Sequence, residues 1–180
     1  MLKTRKECLD QYGSDYYIQQ KIHAGELYRI EKGIFAEEAY VPELALISWK
    51  YPKAVVTMLS AFYHYGLTDV IPDVYDLATD RDAAKITDPR VHQYFIPTDS
   101  FMVGIDNAEE RGYTFRIYDK ERMLIELLRY KSKLPFDLYK EVLLNYRRIM
   151  PQLNIQKIQD YALAVPKSNM ILNTLQMEVL

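Results

Sequence analysis

A chain of 180 residues, 49% apolar and 27% charged, carries enough apolar surface for a substantial core, which excludes an intrinsically disordered protein. Its net charge of −2 excludes a uniformly cationic nucleic-acid binder. No apolar run reaches the roughly 18 residues that a membrane span needs.

Cys8 is the single cysteine, so no intrachain disulfide can form and a reducing compartment fits. The opening Met1-Leu-Lys-Thr-Arg-Lys-Glu has charges but no apolar stretch behind them, so it does not read as a signal peptide. Both features predict a cytoplasmic protein. The charge is unevenly spread. Residues 1–36 are close to balanced and residues 37–119 hold seven Lys/Arg against fourteen Asp/Glu, whereas residues 120–148 hold eight against four. Such a layout matters more to a polyanionic or acidic partner than the total, although a solvated face carries charge runs too.

Lys3–Tyr12 reads as a short polar segment with Leu2, Cys8 and Leu9 on its apolar side, closed by Gly13. Ser14 is a helix N-cap and Asp15 suits the positive end of the helix dipole, so a second helix runs from there to Ala24. Ile18 and Ile22, four apart, should face inward, leaving Tyr16, Gln19, Gln20 and His23 outward. Leu27–Ile30 and Ile34–Ala36, either side of Glu31-Lys32-Gly33, predict a hairpin. Helix, turn, helix and hairpin is the order of a minimal winged helix-turn-helix, placed at residues 1–38.

An α+β domain is expected over 39–180. Pro42 and Pro52 fall where helices begin. Lys53–Tyr65, apolar nearly all round, predicts a buried central helix. Strands are expected at Val74–Thr79, Val91–Ile96, Phe101–Ile105 and Tyr113–Tyr118, forming a small mixed sheet. Four helices follow, with Asp119 and Ser168 as caps and Pro135, Pro151 and Pro166 between them, so helices and strands are segregated in an α+β fold.

Three segments resemble the AbiEi-type antitoxin and transcriptional-regulator family. Ile22-His-Ala-Gly-Glu-Leu-Tyr-Arg-Ile-Glu-Lys-Gly-Ile-Phe-Ala36 resembles its recognition-helix end and wing. Ala54-Val-Val-Thr-Met-Leu-Ser-Ala-Phe-Tyr-His-Tyr-Gly-Leu-Thr-Asp-Val-Ile-Pro72 is similar to its Ser-Ala…His-Gly-Leu core, with Tyr65 where that pattern has His and the histidine one place earlier, at His64. Ile117–Leu128 resembles its strand-to-helix element. The resemblance implies a bacterial type IV toxin–antitoxin system of abortive infection, that is, of phage defence. The antitoxin represses its own promoter by binding inverted repeats in double-stranded DNA. Its C-terminal domain counteracts a nucleotidyltransferase-like toxin without a stable complex.

On this reading Tyr16, Gln19, Gln20, Lys21 and His23 on the recognition helix, with Arg29 and Lys32 on the wing, are the DNA-binding residues. Glutamine amides pair with adenine edges, and the cations, joined by Lys3, Arg5 and Lys6, meet phosphates. No catalytic residue, cofactor or metal is expected. Cys8 lacks a predicted histidine partner, Ser60 lacks the glycines of a nucleophile elbow, and His23, His64 and His92 share no metal-ligand spacing. His64 reads as a helix C-terminal histidine held by the dipole and local backbone. Asp73, Asp80, Asp82 and Lys85 faintly suggest a nuclease core, but Asp82 and Lys85 would point to opposite faces of a strand. The alternative to a regulator is an interaction protein without DNA binding. It would act through the C-terminal helices and a basic surface of Arg122, Arg129, Lys131, Lys133, Lys140, Arg147 and Arg148.

Overall fold

The computed structural model describes residues 1–179, which form two compact units. The first comprises Met1–Tyr51 and Glu109–Thr114, the second Pro52–Ala108 and Phe115–Leu180. The boundary expected after residue 38 falls inside the first unit.

In the first unit the order is β1 (Leu2–Thr4), α1 (Arg5–Tyr12), α2 (Asp15–His23), β2 (Tyr28–Glu31), β3 (Ile34–Ala36) and α3 (Glu43–Lys50). The expected hairpin forms, and β1 adds to it, so the sheet runs β1-β3-β2 and is antiparallel throughout. Alternation along β3 divides the core. Phe35 joins Cys8, Ile18 and Leu27, with Leu9, Tyr12 and Ile22 at their edge. Ala36 joins Leu2 and Leu46, with Ile30, Ile34 and Trp49 around them. The sheet thus has α1 and α2 on one face and α3 on the other.

The second unit holds β4 (Val55–Val56), α4 (Met58–His64), β5 (Tyr75–Asp80), β6 (Val91–Ile96) and α5 (Thr98–Phe101), followed by β7 (Ile105–Glu110) and β8 (Tyr113–Tyr118), whose shared tip belongs to the first unit. It closes with α6 (Lys120–Arg129), α7 (Phe136–Ile149), α8 (Ile155–Ala164) and α9 (Ser168–Glu178). The sheet order is β6-β5-β4-β8-β7 and the sheet is mixed: β4 is antiparallel to β5 and parallel to β8, and β5 is parallel to β6. Helix α6 is the hub, packing on α4, α8 and α9. The architecture is mixed α+β. Among the described residues no helix is long and apolar enough to cross a membrane.

Several expectations are corrected. The stretch 53–65 is not one helix: Val55 and Val56 form a central strand, and α4 starts only at Met58. A run that is apolar all round describes a strand buried on both faces as well as a buried helix, and the β-branched pair decides it. Pro52 lies in a turn rather than at a helix start. Phe101 ends α5 instead of starting a strand, because Gly104 at φ +77° breaks extended backbone before β7 begins. Ser168 is the first residue of α9, and Lys167 holds the cap position with no side-chain cap bond.

Arg122 is also not a surface residue: it is fully buried. Its Nε donates to Glu126 Oε1 at 2.9 Å, and Nη1 donates to the carbonyls of Ser100 and Val103 at 2.7 and 2.8 Å. Its guanidinium lies 4.6 Å from the Tyr118 ring centroid. Glu126, equally buried, takes Arg129 on its second oxygen at 2.6 and 2.9 Å. Asp119 fixes the start of α6, accepting the Arg122 N–H on one oxygen, and Lys157 Nζ and Tyr161 Oη on the other.

Candidate nucleic-acid interface

Capping places the two N-terminal helices. The Thr4 side chain accepts the Glu7 N–H at 3.2 Å while Glu7 Oε2 accepts the Thr4 N–H at 2.7 Å, a capping box that starts α1. Ser14 Oγ accepts the Tyr17 N–H at 3.5 Å and starts α2. Ile18 anchors α2, being 2% exposed, and Ile22 is half-buried beside it.

The opposite side of α2 is open. Tyr16 is 66% exposed, and Gln19, Gln20 and His23 are exposed with it. Gln20 Nε2 donates to Tyr16 Oη at 2.8 Å, which orients the amide and leaves its second N–H and Oε1 available. His23 Nδ1 lies 2.7 Å from the Gln19 carbonyl. A carbonyl only accepts, so Nδ1 is the donor in this contact. A shallow hollow of about 410 Å³ at the end of α2 is lined by Gln20, Lys21, His23, Ala24 and Glu26. The structure therefore brings Tyr16, Gln19, Gln20 and His23 onto one face.

The cations divide into two groups. Lys21 is paired with Glu26 at 2.5 Å, and that hydrogen bond raises its pKa. Arg5 is paired through Nε and Nη2 with the two carboxylate oxygens of Asp15. Lys3 bonds Glu37 at 2.6 Å and Gln11 at 2.8 Å, and the Glu37 bond raises its pKa. Arg29 in β2, Lys32 in the turn after it, and Lys6 on α1 are exposed, and among the described residues none of them has an ion-pair partner. Sequence reasoning omitted Tyr17, which is 54% exposed and meets the Tyr16 ring edge-on at 5.5 Å. Its position three before Gln20 was the available signal.

In the second unit, His92 of β6 places Nδ1 3.1 Å from Asp76 Oδ1 of β5, and Asp76 Oδ2 accepts the Leu59 N–H at 2.9 Å. Burial raises the Asp76 pKa, opposed by the Leu59 N–H and by His92. Ser60 Oγ, nearby and buried, is taken up in accepting the Asp76 N–H at 2.9 Å. The His64 ring packs edge-on against Phe115 at 5.3 Å and Tyr65 at 5.5 Å. Asp80 Oδ1 accepts the Asp82 N–H and the Thr98 hydroxyl at the end of β5. Among the described residues no three His, Cys, Asp or Glu side chains group as metal ligands would.

No family model matches the chain. No curated protein matches its sequence. Among solved structures, the chain is similar to the RV2827C protein from Mycobacterium tuberculosis, with a TM-score of 0.64 at 16% identity, over 98% of this chain and 71% of that one. At that identity the likeness concerns the fold.

Proposed function

We propose that the protein is a cytoplasmic, autoregulatory DNA-binding antitoxin of the AbiEi type, without catalytic chemistry, whose first unit is a minimal winged helix-turn-helix. One observation carries the reading: α2 is anchored by buried Ile18 while Tyr16, Gln19, Gln20 and His23 stand together on its solvent side. The element order supports it, with α1, a tight turn and α2 followed by the β2–β3 hairpin that β1 extends to three strands. In this reading α2 enters the major groove. Gln20, held by Tyr16, offers its remaining N–H to adenine N7 and its oxygen to the N6 amine. Arg29 and Lys32 on the hairpin, with Lys6, contact phosphates. The second unit counteracts a nucleotidyltransferase-like toxin without a stable complex.

A gel-shift titration against the gene's own upstream duplex tests this. Gln20→Ala should relax sequence preference by about 1–3 kcal/mol of discrimination. Lys32→Ala should weaken all duplexes alike and flatten the salt slope by about one unit. Unchanged operator binding in both variants sinks the assignment. A second reading keeps the fold without DNA binding, and the ion pairs that neutralise Lys3, Arg5 and Lys21 favour it. In that case wild-type protein fails to shift any duplex. A nucleotidyltransferase gene directly downstream would support either reading against an enzyme.

A further inference from the structure

Two adjoining hollows in the second unit share Arg129 and Lys167. The larger, about 310 Å³, is walled chiefly by Leu128, Leu134, Phe136, Tyr139 and Met170. The smaller, about 180 Å³, adds Tyr130, Lys133 and Pro166. The apolar wall continues onto open surface: Phe136 is 74% exposed, Met170 40% and Met177 83%. Met170 and Met177 are seven apart on α9, so they share a face and span about 10 Å.

The rim is cationic, but not all of its charge is available. Arg129 is held by Glu126, and Lys131 is bonded to Glu178. Lys133, 5.4 Å from the Tyr130 ring centroid, and Lys167 have no anionic partner among the described residues. Two unneutralised ammonium groups thus stand beside an uncovered Phe–Met strip.

We propose that this trough binds an acidic amphipathic helix of a protein partner. Apolar side chains at a spacing of three, four and seven would lie on Phe136, Met170 and Met177, and carboxylates beside them would meet Lys133 and Lys167. Charge complementarity selects an acidic segment, and flexible methionines suit a helix face. A polynucleotide is a poorer match, because it needs a track of cations along a row of exposed stacking rings, whereas here Phe136 is the one well-exposed ring of the walls and Tyr139 is buried. A small anion would leave Phe136 and Met177 in water. The trough shares no residue with α2 and does not depend on DNA binding.

The test is fluorescence anisotropy with the full-length protein. The probe is a labelled peptide of about 12 residues, with leucines at helical spacing and glutamates flanking them. A scrambled peptide of the same composition and a lysine-for-glutamate peptide serve as comparators. The patterned acidic peptide should bind at least about tenfold more tightly than either. Phe136→Ala, and the pair Lys133→Glu with Lys167→Glu, should each weaken it by about tenfold or more. These side chains are exposed, and circular dichroism identical to wild type ensures that loss of binding is not loss of fold. Equal affinity for the scrambled peptide, indifference to the variants, or no saturation by about 1 mM overturns the proposal. So does displacement of the peptide by an oligo-dT strand or by inorganic phosphate, or a self-association that Phe136→Ala abolishes; these would assign the trough to nucleic acid, a free anion or a second copy.

Discussion

Gly104→Ala tests how tightly α6 is seated in the second unit. A Cβ at Gly104 would lie 2.6 Å from Arg122 Cβ, 3.1 Å from Arg122 Cγ and 3.0 Å from Tyr161 Cε2. Carbon pairs normally sit at about 3.5–4.0 Å, so the start of α6 must retreat by about 1 Å. It is poorly placed to do so. Arg122 is pinned by its bonds to Ser100, Val103 and Glu126, and the Asp119 N–H donates to the Gly104 carbonyl itself at 2.7 Å. The left-handed backbone adds about 1–2 kcal/mol for a residue with a side chain, and overpacking adds about 1–3 kcal/mol. The expected loss is therefore about 2–5 kcal/mol. Gly66→Ala is the control in the same unit: its φ is +66°, but nothing lies within 4 Å of the added methyl, so only the conformational part remains. Urea unfolding followed by circular dichroism should put the Gly104→Ala midpoint about 1–2.5 M below wild type, for a slope of about 2 kcal/mol/M, and clearly below Gly66→Ala. Coincident midpoints for the two alanine variants would refute the reasoning.

Glu126→Ala removes the anionic partner that buried Arg122 has among the described residues and should cost about 3–5 kcal/mol, while Glu126→Gln, which keeps an acceptor, should cost less. A loss below about 1 kcal/mol in chemical unfolding would mean that Arg122 finds its compensation elsewhere. Asp76 gives a pH signature. Its folded pKa is raised by burial, so in the interval from the ordinary carboxylate value up to the folded one the native state holds more protons than the unfolded chain. The contribution of Asp76 to stability must then fall as pH rises through that interval. Wild type should gain on Asp76→Asn as the buffer is acidified across it, and parallel stability curves for the two proteins would contradict this.

Much of the fold was legible where local chemistry and tertiary packing agree. Ser14 and Asp119 cap the helices that their positions announced, and the glycine-bearing hairpin at 28–36 forms. Ile18 is buried as its spacing required. Reading failed where the deciding partner is distant in sequence. Leu2–Thr4 is too short to show a period, and it becomes a strand because β3 lies beside it. Val55-Val56 becomes a strand because β5 and β8 flank it. Arg122 reads as one more surface cation on a basic helix, since nothing local indicates that two carbonyls and a glutamate enclose it. At the candidate interface the outward face of α2 followed from periodicity. The neutralising ion pairs could not be read, because Arg5 meets Asp15, and Lys3 meets Glu37, only after the chain has folded.

The brevity of β4 bears on how the second unit comes apart. Two residues stand between the β5–β6 pair and the β7–β8 pair, and toward β8 the registered pairing is the single match Val56 with Ile117. So slender a seam contributes little ladder strength, and what keeps the two wings moving as one sheet is the apolar grip on Val55 and Val56, both wholly enclosed. Mechanical continuity across the sheet is thus borne by side chains rather than by backbone. Loosening that grip would part the sheet along this line while leaving each pair of strands internally whole.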